Sequence, residues 1–200
     1  MKNEGLPTSE GVLPIVFEPA TETDAYGLRA VQRDTWLHTY ANEDTGITPD
    51  DIEWYFNSFK KAFTRESLEK TARDLQEDNP GNRAFVAKEN GDVIGYIWAI
   101  KDESHNEIGA LYVLPSHQGK GVGRGLWNQA HIFFDPRLPT AVTVEARNAD
   151  AIAFYERLGF GPTHENLPEK LKFPSGAAFS EMRMVRPAEI SGEEVPGSPR

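Results

Sequence analysis

Two hundred residues, 38% hydrophobic and 26% charged, fit one ordinary globular domain and leave little room for a second. A formal net charge of −10 repels nucleic-acid phosphates; it reads first as a solvated acidic surface, and it would also tolerate a cationic partner. The absence of cysteine removes disulfides, thiolate metal sites and cysteine nucleophiles.

No run reaches the roughly 18 apolar residues of a spanning helix. The start, Met1-Lys-Asn-Glu-Gly-Leu-Pro7, lacks the apolar core of a secretory signal. A cytoplasmic setting with no membrane or nucleic-acid partner is therefore expected. Residues 1–11 are polar and read as a flexible start, 12–186 as the domain, and the Pro/Gly/Ser/Glu-rich 187–200 as a disordered tail.

Residues 12–17 are apolar and β-branched and predict a first strand. Thr23 or Asp24 can cap a helix carrying Tyr26, Leu28, Val31, Trp36, Leu37 and Tyr40. An acidic loop broken by Gly46 and Pro49 follows, then helices over 49–61 and 65–76, the second with Leu68, Ala72 and Leu75 at helical spacing. Asn90-Gly91 between the strand-like runs 83–88 and 93–100 is a strong hairpin signal. A strand over 108–113 ends before Pro115. After a glycine run, Leu126, Trp127, Ala130, Phe133 and Phe134 form the apolar face of a helix that Asp135-Pro136 stops. A strand over 141–144, a helix capped by Asn148 and ended by Gly159, and a strand over 179–185 complete the domain. The order predicts an α+β fold with a mixed, mainly antiparallel sheet flanked by helices rather than a regular βαβ alternation.

The glycine run carries the chemistry. Gly119, Gly121, Gly123 and Gly125 alternate with Lys120, Val122 and Arg124 between a strand and a helix. Such glycines let the backbone approach a ligand, and a helix N-terminus with basic neighbours makes an anion site that suits a pyrophosphate. A phosphate-binding P-loop needs Ser or Thr after Gly-Lys, whereas Gly121 follows Lys120. The dinucleotide pattern G-x-G-x-x-G fails in both frames, meeting Arg124 or Leu126 where glycine is required. A plain flexible loop is the bland alternative.

What does fit is Gln-x-x-Gly-x-Gly at Gln118, Gly121 and Gly123, which resembles motif A of the GNAT N-acetyltransferase superfamily. The resemblance implies that Gln118, Gly119, Lys120, Gly121, Val122, Gly123 and Arg124 hold the pyrophosphate of acetyl-CoA. Residues 107–115 look like the superfamily's fourth strand, which implies that the main chain of Leu111, Tyr112 and Val113 holds the pantetheine arm. Residues 144–160 resemble motif B, where Asn148 and Tyr155 match positions that contact the cofactor and lie near its sulfur. Two helical turns, ~10 Å, separate them on nearly one face.

A phenol of pKa about 10 can protonate a departing thiolate, so Tyr155 is the candidate general acid, and strand N–H groups near 111–113 could stabilise an oxyanion. Packing of Tyr155 beside Ala151, Phe154 and Leu158 is the alternative. Glu107 is the candidate base for the amine proton; a solvated strand carboxylate is the competing reading. His117 reads as a loop residue, and no histidine spacing implies a metal.

The pattern of residues 34–40, with the acidic loop and Trp54-Tyr-Phe56, is similar to bacterial polyamine N-acetyltransferases. That resemblance implies a small-molecule or peptide amine acceptor and puts Trp36 and Tyr40 on the acceptor side, with Asp50, Asp51 and Glu53 as carboxylates for a polycation. Peptide N-termini, amino acids and aminoglycosides stay open, as does a homodimer. A GNAT-fold module that binds acyl-CoA without catalysis is the competing functional class.

Overall fold

The computed structural model describes residues 14–58, 65–76, 80–165, 167 and 171–189. In chain order it holds β1 (Val16–Pro19), α1 (Ala25–Tyr40), α2 (Pro49–Ser58), α3 (Arg65–Gln76), β2 (Asn82–Glu89), β3 (Asp92–Lys101), β4 (Asn106–Val113), α4 (Val122–Phe133), β5 (Thr140–Glu145), α5 (Ala149–Glu156), β6 (Gly161–Pro162) and β7 (Glu181–Arg186). The strands form one sheet in the order β1-β2-β3-β4-β5-β7-β6. Among the strands of the described residues, β4 and β5 alone pair in parallel. The expected α+β class with a mainly antiparallel sheet is the observed one.

Local signals account for most of the boundaries. Asn90 and Gly91 have φ of 54° and 89°, the two left-handed residues of a tight hairpin between β2 and β3. Gly159, at φ 89°, follows α5 as the left-handed residue that stops it. Asp24 occupies the N-cap position of α1, as one of the two candidates, but its carboxylate turns back to accept from the N–H and hydroxyl of Thr21, in a capping box that closes the 3-10 turn Glu22–Asp24 leading into the helix.

Some edges differ from expectation. The first strand runs to Pro19, two residues further than predicted, and residues 12 and 13 lie outside those described. The helix expected over 49–61 is described to Ser58, and 59–61 lie outside. The two-residue β6 has no sequence signal, since two residues cannot display a period. Residues 1–11, expected as a flexible start, and 190–200 of the expected tail also lie outside those described. Residues 187–189 do not behave as tail: Glu189 donates its N–H to Pro136 O at 2.9 Å and accepts from Arg186 Nη2 at 2.7 Å, with His131 Nε2 3.1 Å away.

Two apolar layers cover the sheet. On one face α4 and α5 press Leu126, Trp127, Ala130 and Tyr155 onto Ile97, Ile108, Val142 and Met184. On the other, α1 brings Leu28 and Val31 against Val86 and Tyr96. A third cluster, around Trp36, Ile52, Phe56, Phe173 and Phe179, joins α1 and α2 to the segment before β7. Among the described residues no helix is long and apolar enough to cross a membrane.

Candidate active site

The site begins with a defect in the sheet. β4 and β5 pair over three rungs, Asn106↔Thr140, Glu107↔Ala141 and Ile108↔Val142, and then part while both strands continue. Beside the parting, the β3–β4 register passes from Ala99↔Ile108 to Trp98↔Ala110, so Gly109 is an extra residue in a bulge. The bulge resets the pleat: Glu107 shares the α1 face with Ala110 and Tyr112, while Ile108, Leu111 and Val113 face α4.

The parting opens a cleft of about 1000 Å³ through the sheet. Leu114 N donates to Ile94 O of β3 at 2.9 Å, so by alternation the main-chain groups of Val113 and Leu111 face the gap instead. Val113 O accepts from Gln118 Nε2 at 3.0 Å and from Thr35 Oγ1 at 3.3 Å. Gln118, expected at the pyrophosphate, lines the cleft but uses its amide to pin the glycine loop to β4. Leu111, Tyr112 and Val113 all line the gap.

The four glycines divide by task. Gly119 and Gly121 have φ of 72° and 85°, and an added Cβ would meet nothing within 4 Å at either, so conformation is what demands glycine there. Gly121 is the N-cap of α4, and Gly125 N closes the first turn on its carbonyl at 2.9 Å. The N–H groups of Val122, Gly123 and Arg124 therefore have no intrahelical acceptor and face out at the positive end of the helix dipole. This open, donor-lined cradle fits a diphosphate.

The other two glycines mark close packing. A Cβ at Gly123 would lie 3.3 Å from Phe154, and at Gly125 it would lie 2.2 Å from the ring of Phe17. Two expected contacts change as well. The Val122 side chain is buried in the core, leaving only its N–H for a ligand, because it is the first inward position of α4. Lys120 is exposed outside the cleft lining, whereas Arg124 does line it.

Asn148 caps α5, its Oδ1 accepting from Ala151 N at 3.1 Å, and its Nδ2 donates to Tyr40 Oη at 3.5 Å. Both ends of the amide are thus engaged within the protein at the cleft wall. Tyr155 satisfies both readings of its position. It is 5% exposed, with ring centroids 5.2 Å from Phe154 and 5.4 Å from Phe160, and it also lines the cleft. No hydrogen bond to its hydroxyl occurs among the described residues.

Burial, reinforced by Tyr112 and Tyr40, pushes the Tyr155 phenol well above its ordinary value. Burial likewise raises Tyr40, Tyr96 and Tyr112, and it pushes Tyr55 up to about 12. A raised folded-state pKa means that folding favours the neutral phenol. This stability is whole below the unfolded value near 10 and is lost as pH rises through the folded values. Thermal scans across alkaline pH should therefore show the melting temperature falling from about pH 10 to 12, together with ultraviolet-detected ionisation of several tyrosines in the same step as unfolding.

On the α1 face Trp36 stacks on Tyr55 at 4.8 Å and meets the rings of Tyr40 and Phe179 edge-on at 5.8 and 5.1 Å. Trp36, Tyr40, Tyr55 and Phe179 all line the cleft. The acidic residues of α2 do not supply the cleft's carboxylates. Asp51 accepts from Thr48 N and Ser175 N, Glu53 is paired with Arg33, and Asp50 is exposed on the first turn of α2. The carboxylates on the lining are Glu107, Glu145, Asp150 and Glu181. The Nε2 of His105 lies 3.7 Å from the Glu107 carboxylate. Glu145 and Glu181 were not foreseen; they lie directly opposite on β5 and β7, a pairing of distant segments that periodicity does not disclose. Among the described residues no group of three or more acidic or histidine side chains is arranged to hold a metal ion.

The profile of the acetyltransferase (GNAT) family matches residues 50–160. A mycothiol acetyltransferase of Streptomyces griseus is 30% identical over 161 residues, 78% of this chain but 45% of the relative, so the chain spans under half of that protein. The L-methionine sulfoximine/L-methionine sulfone acetyltransferase of Salmonella typhimurium is 30% identical over 77% of this chain and 84% of its own. In fold, the chain resembles the PaiA N-acetyltransferase of Thermoplasma acidophilum, solved in complex with coenzyme A, with a TM-score of 0.69 at 20% identity over 88% of this chain and 99% of the other. The chain belongs to the acetyltransferase (GNAT) family.

Proposed function

We propose that the protein is an N-acetyltransferase moving an acetyl group from acetyl-CoA to a primary amine. The observation that carries this reading is the parting of β4 from β5, which opens a passage between a glycine-built helix N-terminus and the buried hydroxyl of Tyr155. The N–H groups of Val122, Gly123 and Arg124 would hold the diphosphate, and the gap-facing main chain of Leu111 and Val113 the arm that follows. Acetyl-CoA supplies an acetyl group activated as a thioester.

The chain's own residues then divide the proton work. Glu107, on the α1 face, takes the proton that the amine loses, and Tyr155 gives one to the departing sulfur, so the two transfers balance once solvent resets both groups. Main-chain N–H groups facing the gap support the negative oxygen between these steps. Glu107→Gln should lower kcat/KM for the amine about a hundredfold, the modest end of general acid–base effects, with the KM for acetyl-CoA unchanged. An unaltered kcat/KM would return Glu107 to the solvated strand surface.

For the acceptor, the aromatic wall of Trp36, Tyr40 and Tyr55 and the carboxylates of Glu107 and Glu181 on the cleft lining favour a cationic amine, with polyamines as the first class to try. The deciding experiment follows free thiol release from acetyl-CoA with spermidine, free amino acids and N-terminal peptides side by side. Release with an amine supports the enzyme, and the panel ranks its acceptors. Binding of acetyl-CoA without release for any amine would favour a non-catalytic acyl-CoA-binding module.

A further inference from the structure

We propose that Arg147, which lies outside the cleft lining, is a positioning residue that holds the acceptor wall, Tyr40 and Phe179, in place at the edge of the cleft. This inference rests on the acetyltransferase reading above.

Arg147 lies two residues beyond Glu145, whose side chain is only 4% exposed. The Glu145 carboxylate accepts from Arg147 N at 2.7 Å, from Arg147 Nε at 2.8 Å and from Ser180 N at 3.4 Å. One edge of the guanidinium is thereby fixed. Its other nitrogens reach two more stretches of chain: Nη1 donates to Asp44 O at 3.4 Å and Thr45 O at 3.3 Å, and Nη2 donates to Ala178 O at 3.1 Å. Three segments far apart in sequence meet on one planar ion: the loop between α1 and α2, the turn between β5 and α5, and the segment entering β7.

Each grip passes directly to a residue of the cleft. In the first loop, Thr45 Oγ1 donates to Tyr40 O at 2.5 Å, at the end of α1. In the turn, Asn148 follows Arg147 and reaches the Tyr40 hydroxyl while capping α5. In the third segment, Phe179 follows Ala178 and packs against Tyr40 at 5.0 Å and Trp36 at 5.1 Å. Tyr40, Phe179 and Asn148 are thus placed relative to one another through Arg147. The charge has a second use, because Glu145 and Glu181 stand directly opposite across β5 and β7, where like charges repel. Arg147 answers the Glu145 charge at that point of the cleft wall.

The arrangement requires arginine. Its planar fork can meet a carboxylate and three carbonyls in different directions, whereas a lysine ammonium is a single point of charge with three donors. The test compares wild type, Arg147→Ala and Arg147→Lys in steady-state thiol release, with amide hydrogen exchange on the same proteins.

We expect R147A to raise KM for the amine about tenfold, with kcat and the KM for acetyl-CoA within about twofold, as the loss of several charge-assisted bonds at one wall predicts. R147K should keep the charge but recover only part of the amine KM, and it serves as the probe if R147A does not fold. Exchange should accelerate over 41–48 and 176–180 and stay unchanged over 122–133. An amine KM equal to wild type overturns the proposal. So does a parallel change of all kinetic constants with the melting temperature, which is the signature of a merely structural role. If wild type itself releases no thiol with any amine, the acetyltransferase reading fails separately, and unaltered exchange over 41–48 would then still overturn the tether.

Discussion

Tyr155→Phe is expected to lower kcat by about 10²–10⁴-fold, the range of a lost general acid, while the dissociation constant for acetyl-CoA stays nearly unchanged. The substitution removes one oxygen and keeps the ring that packs between Phe154 and Phe160. No partner among the described residues loses a hydrogen bond, so stability should hold or rise slightly. Burial keeps the phenol protonated across the whole neutral range, which is the state a proton donor needs. For the same reason, wild type should show no alkaline loss of rate from this group below about pH 10. Steady-state thiol release and calorimetric titration of acetyl-CoA into both proteins check the two halves. An unchanged kcat would make Tyr155 a core residue that happens to line a cleft. A weakened affinity with unchanged kcat would make it a binding residue.

Much of the fold is written in local signals. Asn90-Gly91 dictates a hairpin, Gly159 ends a helix, and the apolar faces of α1 and α4 declare which side turns inward. Of the cleft lining, Gln118, Gly121, Gly123 and Arg124, and then Asn148 and Tyr155, were legible because each group lies within one continuous segment. The lining was illegible where distant segments meet. The bulge at Gly109 appears only in the register against β3, and β7 reaches β5 across the whole of α5, so the facing of Glu145 and Glu181 has no local cause. The acidic residues at the start of α2 misled for the opposite reason: their charge drew attention to Asp51 and Glu53, while capping and Arg33 had already claimed them.

Gly125 is the sharpest case of a residue whose sequence context suggested the wrong task, and Gly125→Ala is the second large effect to expect. In the middle of an alternating glycine run it looks like part of the anion cradle. Yet it is one turn inside α4, and a Cβ there would lie 2.2, 2.4 and 2.9 Å from three atoms of the Phe17 ring. Helix propensity alone would make the change stabilising by about 1 kcal/mol, so the sign of the measured effect decides between the two physical causes. Overpacking of this kind costs about 1–3 kcal/mol, and contacts this short belong at or beyond its upper end. A net loss of about 2 kcal/mol would lower the melting temperature by roughly 4–8 °C for a chain of this length. The short edge strand β1, paired only with β2, should yield first, tipping the Phe17 ring away from the core. Any share of the strain taken by α4 would instead shift its N-terminus and weaken acetyl-CoA binding. Adding Phe17→Ala supplies the check, because the double variant should be less destabilised than the sum of the single ones. Strict additivity, or a stabilised G125A, would mean that the close approach of helix and strand is not what keeps glycine at this position.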